Sequence, residues 1–149
     1  MRQVDLDELT YQIFSGLRCW TVSTRRRIFA PIAKREDVDV TIACEALAEK
    51  LRIWSFIDSI RPDAPLSLKE VSAVFEAEAL RFPGAIADLW MSGIRDRERE
   101  AQSAAAILLA GALGRLEILS PTTLVHHGAR MVRFSLREAP EYAFLPRWP

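Results

Sequence analysis

Between Asp39 and Arg61, apolar side chains recur at three- and four-residue intervals: Val40, Ala43, Leu47, Leu51, Trp54, Ile57 and Ile60. This is the period of an α-helix and lines one of its faces. Asp39 is placed to accept from the free amides of a first turn, and the pair Arg61-Pro62 disfavours continuation, so the spacing predicts a helix over 39–60. Ile42, Ile53 and Phe56 fall off the stripe, which makes this helix apolar on more than one side and central to a core.

The same period predicts further helices. Leu6, Leu9, Ile13, Leu17 and Trp20 trace one over 5–20. Thr21 to Thr24 interrupts it with β-branched and hydroxyl residues, and Arg25-Arg26-Arg27 leads to Pro31, which limits this stretch to a connector with some helix. Ser67-Leu68-Lys69-Glu70 has the spacing of a capping box, with Leu66 and Val71 placed as a hydrophobic staple. A third long helix therefore starts at Ser67 and turns Leu68, Val71, Phe75, Ala79 and Phe82 inward. Pro83-Gly84 breaks it, and 85–92 forms a short helix ending near Gly93. Arg95 to Glu100 alternates in charge before the alanine- and leucine-rich run Ala101 to Leu116, a pattern of one helix solvated first and buried later.

Beyond Ser120-Pro121 the period changes from helical to alternating. Thr122 to His127 and Ala129 to Arg137 are rich in β-formers around a His127-Gly128 turn, and Val132, Phe134 and Leu136 share one face. The expected architecture is mainly α, a single-domain bundle of about five helices over 1–149 with a β-hairpin at 120–138 and an extended tail at 139–149. Helices followed by a hairpin also suit a winged-helix-like arrangement.

With 149 residues, half of them hydrophobic and 27% charged, the chain can bury a core without disulfides or metal. Formal net charge is zero, which removes any general attraction to nucleic acid or anionic membrane. Residues 1–36 carry 7 basic and 4 acidic side chains, 37–90 carry 5 and 10, and 91–149 carry 8 and 6. Local patches are therefore the only electrostatic route to such a partner. Met1 to Asp7 lacks the basic start and apolar run of a signal peptide, and the apolar stretch Ala104 to Leu113 is too short to span a bilayer. A cytoplasmic location is expected, with Cys19 and Cys44 as free thiols.

The densest positive charge is Arg25, Arg26 and Arg27, followed by Lys34-Arg35, and Arg130, Arg133 and Arg137 ride on the hairpin. These arginines are the candidate contacts to phosphate or to an acidic partner. The segment Ala104 to Ala110 has almost no polar group with which to read a base edge, which argues against direct readout. The bland reading of the arginine run is a solvated connector paired with the acidic middle of the chain.

Cys19, Cys44, His126 and His127 are zinc-ligand types, but adjacent histidines on a strand point to opposite faces and cannot normally share one site. Cys44 lies near a helix start, where the dipole lowers a thiol's pKa, yet it also borders a strongly apolar stripe and reads as packing. No glycine-rich phosphate loop or nucleophile elbow is present. No cofactor, metal or catalytic residue is assigned. Four tryptophans, Trp20, Trp54, Trp90 and Trp148, and the tail aromatics Tyr142 and Phe144 suit a protein interface. The expected function is a non-enzymatic interaction or regulatory protein that self-associates or joins a larger complex. The alternative is a winged-helix-like DNA-binding regulator.

Overall fold

The computed structural model describes residues 2–30 and 37–121. Over these residues the protein is mainly helical with a small antiparallel sheet. Six helices are described: α1 (Leu6–Gly16), α2 (Val22–Ile28), α3 (Asp37–Lys50), α4 (Leu68–Ala79), α5 (Gly84–Trp90) and α6 (Arg95–Leu113). Three strands, β1 (Arg2–Gln3), β2 (Ser55–Ile57) and β3 (Glu117–Ser120), form a sheet in the order β1-β3-β2.

The helices start where side-chain oxygens meet their free amides. Asp5 accepts from the Glu8 amide at 2.8 Å, Thr21 accepts from that of Thr24 at 3.3 Å, and Ser67 accepts from that of Glu70 at 3.2 Å. At Ser67 the reciprocal contact is also made, so the capping box is complete. Val71 is buried, and Leu66 packs partly buried against the same core. Gly93, with φ of +76°, takes the left-handed conformation that turns the chain between α5 and α6.

Helix α6 is the spine of the fold and packs against α1, α4 and α5. Its first turn is exposed, whereas Ala101, Ala104, Ala105, Leu109 and Leu113 are buried. The small side chains let neighbouring helices approach. A second close approach joins α1 to α3: a Cβ on Gly16 would meet Leu47 Cδ1 at 2.7 Å.

The structure corrects several expectations. Helix α3 ends at Lys50 and not at Ile60, and residues 51–54 turn the chain into β2. Its start is Asp37, which places Asp39 inside the first turn and not at the cap. Trp54, Ile57 and Ile60 keep a helical interval by coincidence, because Ile53, Trp54, Phe56 and Ile57 are β-branched or aromatic and suit a strand equally. In β2 only Phe56 is buried, and Ile60 is 84% exposed. The connector at 21–30 carries the complete helix α2. Leu6 and Leu68, expected inward, are exposed.

Strand β3 occupies the centre of the sheet, with Arg2 opposite Ser120 on one side and Phe56 opposite Ile118 on the other. Both of its edges are thus hydrogen-bonded by strands distant in sequence. Of the hairpin expected at 120–138 only Ser120, the last residue of β3, and Pro121 are described; its remainder and the tail at 139–149 lie outside the described residues. No described helix is long and apolar enough to cross a membrane.

Candidate functional site

The candidate site is the face shared by α2 and α3. Helix α2 and the 3-10 turn before it (Leu17–Cys19) run antiparallel to α3: the Trp20 indole nitrogen donates to the Ala43 carbonyl at 3.1 Å, and Arg27 pairs with Asp39 at 3.3 Å one end further along. Between them lies an open groove of about 160 Å3, edged by Cys19, Thr24, Arg27, Asp39, Ile42 and Ala46. Ligand pockets usually measure about 300–1,000 Å3, so this groove is smaller than most and is of side-chain size.

The outer strip of α3 beside the groove is apolar. Val38, Ile42 and Ala46 are four residues apart and share one line along the helix, and all three are exposed, Val38 at 64% and Ile42 at 59%. Helix α3 also packs on α4, and Val38 and Ile42 are two of the ten large hydrophobic side chains exposed among the described residues. In the sequence Ile42 stands out only as a departure from the inward stripe. Its orientation outward follows from the turn of the helix, in which Ala43 and Leu47 face the core while Ile42 is rotated away.

The arginine run divides by rotation about α2. Arg25 is buried, 6% exposed; it donates to the Trp90 carbonyl at 2.6 Å, lies 3.5 Å from Glu98 Oε1 and stands over the Trp90 ring. Its guanidinium is buried and bonded inside the protein, so it is not offered to a phosphate. Arg27 is exposed but shares its charge with Asp39. Arg26 is exposed and has no ion pair among the described residues. Arg130, Arg133 and Arg137, together with Tyr142, Phe144 and Trp148, lie outside the described residues.

Trp20 and Trp90 are buried and stacked with ring centroids 5.5 Å apart, and Phe29 tilts onto Trp90. Two of the four tryptophans therefore belong to the core and give no support to an interface. Trp54 is partly buried, and Trp148 is not described.

Neither cysteine has the setting of a nucleophile. Cys44 is fully buried in the second turn of α3, and burial, assisted by the Glu76 carboxylate, pushes its thiol up to about 12. Cys19 is half-buried at the groove, where burial raises its thiol and Lys50 partly offsets the rise. A reactive thiolate needs the opposite shift. No group of three or more metal-ligating side chains converges among the described residues, and His126 and His127 lie outside them.

The chain matches no family model, no curated protein and no solved structure, so its candidate site rests on its own geometry.

Proposed function

We propose that this is a non-enzymatic interaction or regulatory protein that self-associates or joins a larger complex. The observation that carries this reading is the exposed apolar strip Val38, Ile42 and Ala46 beside a groove of side-chain size. Leaving branched aliphatic side chains in water forgoes the hydrophobic stabilisation of burying them, which a partner surface supplies. The aromatic tail residues Tyr142, Phe144 and Trp148 extend the proposal as a second source of contact.

The DNA-binding alternative is weakened by the placement of Arg25 and Arg27, since one is internal and the other paired. Arg26 and the hairpin arginines remain its basis. Sedimentation of the full chain, compared with a chain ending at Glu138, tests the main reading. Association in both supports a contact within 1–138, and association in the full chain alone assigns it to the tail. A single-chain mass at every concentration removes self-association.

A further inference from the structure

The core side of the small sheet has a polar end. In the register of β1 with β3, Arg2 stands opposite Ser120 and Gln3 opposite Leu119, and the Val4 amide donates to the Ile118 carbonyl at 2.7 Å one step further along. Side chains alternate along a strand, so Arg2 and Val4 share one face of the β1 segment, and Ile118 and Ser120 share the matching face of β3. Val4, Ile118 and Ser120 are buried, whereas Gln3 is exposed. The core side is therefore apolar at Val4 and Ile118 and polar at Arg2 and Ser120.

Helix α1 supplies an acid to this polar end. Glu8, 1% exposed, accepts from Arg2 Nη1 and Nη2 through its two carboxylate oxygens at 2.5 and 2.6 Å. The fork leaves the Nε–H outside it. Arg2 Nε is buried and has no hydrogen-bond partner among the described residues, and the buried Ser120 hydroxyl has none among them either. Directly opposed residues on antiparallel strands hold their Cβ atoms about 4.5–5.5 Å apart, so the two groups belong to one locality and yet do not bond to each other. Buried polar groups left unpaired forfeit the hydrogen bonds they make to water in the unfolded chain.

We propose that this junction is a binding site for one internal water molecule, which accepts from Arg2 Nε, shares a hydrogen bond with the Ser120 hydroxyl and so ties β1 to β3. Three requirements select water. The ligand accepts a hydrogen bond, because Nε–H is only a donor. It is neutral, because Arg2 and Glu8 already balance each other and a further buried ion would stand uncompensated. Asp5, whose charge also reaches Arg2, is exposed and solvated. The ligand is also small, because it lies between directly opposed side chains of neighbouring strands. A buried water makes about three hydrogen bonds, and Nε–H, the Ser120 hydroxyl and the remaining lone pairs of the Glu8 carboxylate are partners of the right kinds. Strand β1 is only two residues long, so a bridge of this kind adds to the few backbone bonds that hold it.

The test is a crystal structure of the full chain at a resolution that shows ordered water, joined to a water–protein NOE experiment in solution on the wild type, Ser120→Ala and Ser120→Val. We expect a water about 2.7–3.2 Å from both Arg2 Nε and Ser120 Oγ, and a cross-peak from long-lived water to the Arg2 Nε proton. The cross-peak should weaken in Ser120→Ala, which removes one partner of the water, and disappear in Ser120→Val, whose second methyl group takes the water's place. The alanine variant removes only a hydroxyl bonded to no described residue, so it keeps the test open if the valine variant fails to fold.

A protein group bonded to Arg2 Nε in the wild type, whether Ser120 itself or a residue of 122–149, overturns the proposal. So does a structure with no ordered water at this point, or a cross-peak of equal intensity in the wild type and Ser120→Ala.

Discussion

The guanidinium of Arg25 donates to the backbone carbonyl of Trp90 at 2.6 Å and lies 5.8 Å from the centroid of the same residue's ring. Trp90 is the last residue of α5, so this carbonyl has no partner within its own helix, and a cation is favoured there by the helix dipole as well. Arg25 ties α2 to the C-terminal end of α5, with Glu98 of α6 balancing its charge.

Replacing Arg25 by alanine should therefore destabilise the protein by about 2–4 kcal/mol, through an unsatisfied buried carbonyl and lost packing on Trp90. Lysine should not restore the loss, because it lacks the planar fork. Arg26→Ala, an exposed neighbour, should change stability by less than about 0.5 kcal/mol. Urea melts of the three variants check the contrast. Equal effects at 25 and 26 would contradict the buried role.

Ser67 caps α4 and donates its hydroxyl and amide to Glu70 in return. Ser67→Ala should lower the free energy of unfolding by about 1 kcal/mol, whereas Ser67→Asp should retain most of it. An unchanged denaturation midpoint for the alanine variant would mean that the cap contributes nothing.

The Glu70 carboxyl is held below its ordinary value, first by its hydrogen bond from Arg61 and then by the Ser67 amide. A carboxyl depressed in the folded state contributes stability at pH above its unfolded value, and that contribution is lost as pH falls through its folded value. The stability gap between wild type and Glu70→Gln should thus be widest near neutrality and close in acid. Equilibrium unfolding at a series of pH values measures it. Because the group is exposed, the gap should also shrink as salt is added.

The two thiols should separate kinetically. Cys19 at the groove should react slowly with an aromatic disulfide reagent in the native protein, and Cys44 only at the rate of unfolding. Burial raises the Cys44 thiol to about 12, above its unfolded value, so its contribution to stability is complete below the unfolded value and falls as pH rises past it. A count of reacted thiols with and without denaturant decides the first point. Rapid native labelling of both would show that α3 does not enclose Cys44.

Much of the helical architecture was legible because its signals are local. The Ser67 box, the Pro83-Gly84 break and the change from charge to alanine along α6 act within a few residues of the structure they specify. The strands were not legible for the opposite reason. Arg2–Gln3 and Ser55–Ile57 become strands only by pairing with Glu117–Ser120, some sixty residues or more away, and the apolar interval through Trp54 and Ile57 fits either period.

The candidate site was half legible for a related reason. Three consecutive arginines look alike in a row of letters, but successive residues on a helix are rotated by about 100°. The rotation sends Arg25 inward, Arg26 outward and Arg27 across to Asp39. The outward strip of α3 could have been seen in the spacing of Val38, Ile42 and Ala46, but only once the neighbouring residues Val40, Ala43 and Leu47 had been assigned to the core.

Self-association is the central claim, and sedimentation equilibrium of the full chain from low micromolar to near-millimolar concentration tests it most directly. The account predicts an apparent mass that rises from one chain toward two, with the midpoint moved to higher concentration in Ile42→Glu. A constant single-chain mass across the whole range would contradict it.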